Sequence, residues 1–295
     1  MRSLLFVPAD QPAKLAKALG CGADAVILDL EDSVAPARKQ TAREGAAAFL
    51  RDHAGAAARP RLVVRVNALA TDLTDADLDA VVTARPDAIM LPKAEGAVSV
   101  VHLDAKLTAR EALAGIPEGG IAIIPLATET ARSLFVTGSY REASPRLTAL
   151  TWGAEDLAAD LGVEANRDAE GAFLDAFRLA RTLCIVGAAS AGVPAIDTVY
   201  LDFRDDAGLR RECEAARRDG FTAKLAIHPA QVPVINEVFT PSPQAIAAAH
   251  AIVAAFAAVP DAGVIGVDGE MYDRPHLMRA ERILARARAA GIETE

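Results

Sequence analysis

Short apolar runs that stop abruptly in acidic or polar clusters recur along the chain and constrain its fold more than any other feature. They are AVILDLED at 25–32, RLVVRVN at 61–67, IAIIPLATET at 121–130 and LTALTWGAEDL at 147–157. A continuous apolar run of that length is a strand buried on both faces, as in a parallel sheet covered by helices. Carboxylates, an arginine and an amide just beyond such strands mark the end of an α/β sheet or barrel where ligands bind.

Strand and helix patterns alternate between these runs. Strands are expected at 3–7, 25–30, 62–66, 88–91, 121–125, 147–151, 195–199 and 222–227. Helices are expected at 14–19, 36–53, 75–84, within 96–114, from Thr128 to about 136, within 169–188 and at 205–218. Pro12 suits a first helical turn, where its missing N–H costs nothing, and Thr74 is placed to cap the helix that follows it. Eight alternations in about 230 residues predict an α/β fold of the TIM (β/α)8 barrel type. A doubly wound open sheet is the competing architecture, weakened by the lack of GxGxxG after the first strand. The tail adds a helix at 244–256, a short element at 264–267, a turn at Asp268 and Gly269, and a polar helix over 274–290. The chain therefore divides into a barrel over 1–240 and a C-terminal helical extension over 241–295. That extension either caps the bottom of the barrel or folds over a mouth as a lid.

Charge and cysteine content narrow the class. A net charge of −9 argues against a general nucleic-acid binder, which needs a positive field over phosphates. Cys21, Cys184 and Cys213 are too few and too widely spaced for a disulfide framework or a zinc knuckle, so a reducing cytoplasm is expected. The N-terminal MRSLLFVPAD has one basic residue and a short apolar run broken by Pro8. It is expected to be neither a signal peptide nor a membrane span.

The acids and bases at the strand ends carry the candidate chemistry. Glu129 and Asp156 follow consecutive strands, so in a barrel both stand at the C-terminal mouth despite 27 residues of separation. Two carboxylates plus a chelating 2-keto or 2-hydroxy acid suit magnesium; helix capping is the other reading of the same pair. Arg65, inside an apolar strand, must meet an anion: a substrate carboxylate or carbonyl oxygen, or an ion pair with Glu31 or Asp32. Asp29 and Glu31 share one strand face while Asp32 begins the loop, so these acids can support a cation site, orient Arg65 or hold basic groups. Lys93 is a conceivable Schiff-base lysine with no visible activation. His228 has a backbone carbonyl as its default partner.

The ordered set SLLFVPADQPAKLAKAL, AVILDLEDSV, VVRVNAL, IMLPKAEG, PLATET, TWGAEDLAADLG, AIDTVYLDF, AKLAIHPAQV and GEMYDRPHLMRAERIL resembles the CitE-like branch of the HpcH/HpaI aldolase superfamily. That branch includes the citrate lyase beta subunit, malyl-CoA lyase and citramalyl-CoA lyase. The resemblance implies a TIM barrel, Mg2+ and carbon–carbon chemistry beside a thioester of coenzyme A, with an acyl-CoA and a 2-keto acid as small-molecule partners. It assigns Glu129 and Asp156 to the metal, and Arg65 to the substrate and its developing enolate. Asp273 becomes an acid–base group on a lid, acting in cis or in a neighbour's site, with Tyr272 replacing the usual isoleucine before it. Arg2, Lys14, Lys17 and Lys224 become the expected contacts for the cofactor's phosphates. A homotrimer or hexamer is implied, with neither nucleic acid nor membrane as partner. A citryl-acyl carrier protein substrate, a malyl-CoA thioesterase, a barrel processing phosphoenolpyruvate or pyruvate, and an inactive metal-binding scaffold are the alternatives.

Overall fold

A computed structural model describes residues 1–56, 58–267 and 269–292. Eight strands, β1 (Ser3–Pro8), β2 (Ala25–Asp29), β3 (Arg61–Arg65), β4 (Ala88–Leu91), β5 (Ala122–Thr128), β6 (Leu150–Trp152), β7 (Ala195–Asp197) and β8 (Ala223–Ala226), close into a barrel in chain order. All neighbours are parallel, and β1 completes the ring against β8 with Ser3 opposite Lys224.

The closed barrel explains why the runs are apolar without alternation. Leu4, Ile27, Val63, Met90, Ile124 and Leu225 pack together in one cluster inside the barrel. The residues between them, such as Leu5, Val26, Leu28 and Val64, belong to the larger core beneath the helices. Both faces are buried, so both are apolar. The same period of two puts Asp29 in line with Ile27, and Arg65 in line with Val63, facing inward at the mouth.

The helices between strands are α1 (Pro12–Ala18), α2 (Lys39–His53), α3 (Thr74–Val81), α4 (Ala97–Ala114), α5 (Ala154–Leu161), α6 (Asp175–Ala191), α7 (Asp206–Asp219) and α8 (Gln231–Phe239). Sequence periodicity missed α5 and α8, both short, and α2 is preceded by a separate 3-10 turn at Pro36–Arg38. The helix expected after Thr128 is absent; the β5–β6 crossover carries 3-10 turns at Arg132–Phe135 and Thr137–Tyr140. Ser133 explains this locally: its hydroxyl donates to the Thr130 carbonyl at 2.6 Å and its N–H donates to the Thr130 hydroxyl at 3.2 Å. Such side-chain bonds compete with helix propagation. Thr74 is not a cap either; its hydroxyl donates to the carbonyls of Asn67 and Ala68.

Beyond the barrel lie α9 (Pro243–Ala258), an antiparallel hairpin of β9 (Val264–Val267) and β10 (Glu270–Asp273), and α10 (Arg274–Ala289). The turn expected at Asp268 falls outside the described residues. α9 and α10 share a small core of Ala249, Ala280 and Leu284, separate from that of the barrel. The chain leaves the barrel at the strands' N-terminal end, where Arg2 donates to Thr240 at 3.0 Å. The second half of α10 faces residues 192–195 and 220–222, which precede β7 and β8. The extension therefore lies toward the end opposite its own mouth. Among the described residues, no helix is long and apolar enough to cross a membrane.

Candidate active site

The mouth is organised around a buried arginine. Arg65 donates through Nε and NH2 to the two oxygens of Asp29, each at 2.7 Å, the planar fork-on-fork geometry that lysine cannot reproduce. Burial alone would raise the Asp29 carboxyl, but Arg65 and the N–H groups of Glu31 and Ser33 hold it below the usual carboxylate range. Burial likewise opposes the Arg65 charge, and Asp29 and Glu31 overcome it and drive its pKa up. The guanidinium stacks 4.6 Å over the Phe6 ring, which fixes its plane. With Nε and NH2 occupied, NH1 is the remaining edge; it lies 3.0 Å from Glu31 Oε2 without hydrogen-bond geometry.

A lysine crosses the mouth. Lys93 follows β4 with φ of 51°, uncommon for a side-chain-bearing residue and typical of functional sites. Its N–H donates to Glu129 Oε2 at 2.6 Å. Its ammonium lies 2.7 Å from Glu31, 2.9 Å from Asp156 and 3.6 Å from Asp32. Burial opposes the charge, but Glu31 and Asp156 overcome it and raise the pKa of the ammonium, which gives Lys93 no visible activation as a nucleophile. Beneath it, Lys39 donates to the carbonyls of Leu30 and Glu31 and to Asn67, which itself donates to Asp77. Lys39 and Asp77 escaped the sequence reading, whereas Asn67 is the amide it placed beyond the third strand. Asn67 alone had a visible signal, at the end of the RLVVRVN run.

Glu129 and Asp156 meet as expected from the strand order. Glu129 follows β5 and is 1% exposed; Asp156 stands in the first turn of α5, its side chain 28% exposed. Burial first, and Asp156 second, push the Glu129 carboxyl well above the ordinary range. Its Oε1 is buried with no hydrogen-bond partner. Gly153 makes the room: a Cβ there would lie 3.0 Å from Glu129 Oε1 and 3.2 Å from Cγ. An orphaned carboxylate oxygen in a ring of five carboxyl groups, answered among the described residues by Arg65, Lys93 and the nearby Lys39, fits a divalent cation. No group of three or more metal-ligating side chains occurs among the described residues. Two protein ligands suit magnesium, which retains water or substrate oxygens. Gly153→Ala is accordingly expected to raise the magnesium concentration for half-maximal binding by about tenfold, by displacing Glu129; titration calorimetry with Mg2+ checks it.

The other expected residues scatter. Lys14 and Lys17 are exposed on α1, with Lys14 toward the mouth. Lys224 is corrected: it is 0% exposed, its ammonium held between Asp197 and Glu212 at 2.8 Å each, and it cannot touch a cofactor phosphate. Arg2 is corrected too, since it pairs with Asp24 at the strands' N-terminal end, away from the mouth. Trp152 is a core residue whose indole donates to Asp197. His228 stacks on Phe203, and its Nδ1 accepts from the Ala230 N–H rather than donating to a carbonyl. Asp273 ends β10 and caps α10 through a hydrogen bond with His276, and none of its contacts reaches Arg65, Glu129 or Asp156.

Known proteins resemble the chain over nearly their whole length. The chain is 38% identical to a citrate lyase subunit beta-like protein of Mycobacterium tuberculosis over 289 residues, covering 98% of this chain and 96% of the relative. It is 38% identical to a (3S)-malyl-CoA thioesterase of Cereibacter sphaeroides over 292 residues, covering 98% and 95%. The crystal structure of CitE from M. tuberculosis in complex with magnesium, acetoacetate and coenzyme A superposes with a TM-score of 0.76 at 36% identity, covering 97% of each chain. The HpcH/HpaI aldolase/citrate lyase family model matches residues 2–229, which span every barrel strand and the whole acid-ringed mouth. With barrel, mouth and relatives in agreement, the chain belongs to the HpcH/HpaI aldolase/citrate lyase family.

Proposed function

We propose that the chain is a magnesium-dependent carbon–carbon lyase that cleaves a short 3-hydroxyacyl-CoA, of the malyl-CoA or citramalyl-CoA kind, to a short acyl-CoA and a 2-keto acid. The observation that carries this reading is Arg65, locked by Asp29 with NH1 as its remaining edge, beside the orphaned Glu129 oxygen and Asp156. In this reading residues 1–240 form a TIM (β/α)8 catalytic barrel and residues 241–295 supply a lid.

Glu129 and Asp156 would hold magnesium, which supplies Lewis acidity toward the substrate's carboxylate and hydroxyl oxygens. Arg65 NH1 donates to the same end of the substrate, and Asp29 keeps the guanidinium plane fixed as charge shifts. Lys93 tethers Glu31 and Asp156 and holds positive charge at the rim. In cleavage the hydroxyl loses its proton, the bond between carbinol carbon and α-carbon breaks, and its electron pair becomes a thioester enolate. Protonation at the α-carbon completes the acyl-CoA. Lys14, with Lys17 below it, meets the phosphates of the coenzyme A arm.

Asp273 is assigned to that α-carbon proton transfer, in the mouth of a neighbouring subunit of a trimer or hexamer. The position of its own extension, toward the far end of the barrel, supports action in trans. The hydrogen bond from His276 lowers its pKa, keeping it in the ionised form a base requires. Asp273→Asn is expected to leave magnesium affinity unchanged and to lower turnover about 10²–10⁴-fold. Mixing it with Glu129→Gln should restore activity if sites are shared; a mixture as inactive as its parts removes the trans assignment.

Thioester hydrolysis is the second reading, favoured by the identity to the malyl-CoA thioesterase. Product-resolved mass spectrometry with Mg2+ and malyl-, citramalyl- and citryl-CoA, repeated with EDTA, separates the two. Metal-dependent acyl-CoA plus a 2-keto acid supports the lyase, and free CoA with an intact hydroxy acid supports the thioesterase. No reaction across the panel rejects both and moves the test to citryl-acyl carrier protein.

A further inference from the structure

At the end of the barrel opposite the mouth, α6, α7 and α10 line a half-open cavity of about 530 Å³. Four arginines line it: Arg217 from α7, and Arg279, Arg282 and Arg286 from α10. Its floor is apolar, with Ile185, Ala188 and Val193. This is an unusual concentration of positive charge in a chain of net charge −9.

Among the described residues, these arginines differ from their neighbours in having no anion. Arg181 on α6 is paired with Asp219, Arg210 on α7 with Glu237, and Arg167 with Glu212. Among the described residues, none of the four cavity guanidinium groups has a carboxylate within 4 Å or a hydrogen bond. Arg286 is half-buried, and burial followed by the nearby Arg217 charge lowers its pKa. Arg217, Arg279 and Arg282 are exposed and their repulsion is screened by water, so the partly buried Arg286 is the least solvated charge of the four.

We propose that this cavity binds a polyphosphorylated small molecule. Several guanidinium forks on one wall match the multiple oxygens of a di- or triphosphate, each able to accept paired N–H bonds. The apolar floor opposite suits an uncharged body such as a nucleoside. The volume fits a ligand of that size. The position, beside residues that precede β7 and β8, separates it from the acid-ringed mouth. A free nucleotide and the nucleotide end of a coenzyme A thioester present the same chemistry, and the binding data separate them. This inference does not depend on the lyase reading.

The test is titration calorimetry of the full chain with tripolyphosphate, ADP and coenzyme A, at two salt concentrations. Wild type is expected to bind tripolyphosphate and ADP, more weakly at the higher salt, and Arg282→Ala/Arg286→Ala should weaken both by at least about tenfold. Arg286→Lys, which keeps the charge, should retain an intermediate affinity. If the double variant loses only coenzyme A affinity, the phosphates recognised are those of the thioester. If the double variant does not fold, phenylglyoxal labelling of wild type decides: tripolyphosphate should protect Arg282 and Arg286 in a peptide mass map. No binding by wild type, equal binding by the folded variants, or absence of protection overturns the proposal. So does a variant that changes only the oligomeric state, since the cavity would then be a contact between subunits.

Discussion

Arg65→Lys is expected to lower kcat/KM for the cleaved thioester about 10²–10³-fold, the loss typical when one preorganised donor to a developing oxyanion is removed. Charge at the position is conserved; the fork is not. A lysine ammonium cannot donate in parallel to both oxygens of Asp29 while directing a further N–H into the mouth. Asp29 retains the N–H groups of Glu31 and Ser33, so the strand end should survive. Steady-state kinetics, with magnesium affinity measured in parallel, checks this. Turnover near that of wild type would remove Arg65 from the reaction, and an equal loss of magnesium affinity would make it a support of Glu129 instead.

Lys224→Met is expected to destabilise the fold by about 3 kcal/mol, because it removes the buried cation shared by Asp197 and Glu212 and leaves them to Arg181 at 3.6 Å and Arg167 at 2.7 Å. Burial opposes both charges, yet Asp197 is held below the ordinary carboxylate range and Lys224 above the ordinary lysine range. A depressed carboxyl contributes stability that is present above its unfolded pKa, about 3.9, and lost as pH falls through its folded value. A raised lysine contributes stability that is present below about 10.4 and lost only at more alkaline pH. Wild type should therefore weaken toward acid, and the variant should show a flatter acid limb in urea unfolding. Coenzyme A affinity should not change. A variant as stable as wild type but weaker for coenzyme A would return Lys224 to the ligand.

The barrel was legible because its cause is local. In AVILD, alternate residues point inward and outward, and both directions are dry, so the run is apolar throughout and stops where the mouth begins. That is also why Glu129 and Asp156 could be placed together from strand order alone. Helices were harder. Hydrogen bonds between Ser133 and Thr130 divert the segment after Thr128 into 3-10 turns, an effect too short in range for periodicity to register.

Lys224 and Lys93 mark the other boundary. One lysine in AKLAIHP and one in LPKAEG look alike on the page, yet one is sealed beneath the barrel and the other bridges three acids across the mouth. Their partners come from other strands and helices, and no local pattern encodes a side chain's long-range neighbours. The direction of the extension, hence which mouth Asp273 can serve, depends in the same way on how α10 docks. By itself the sequence determined the eight strands and the acids at their ends, because burial on both faces and a period of two are written residue by residue. Only the tertiary structure decided the ring order of the strands, which charges are paired, which are sealed, and that four arginines meet without an anion among the described residues, because charge partners are chosen by closure of the barrel and packing of α10 against it.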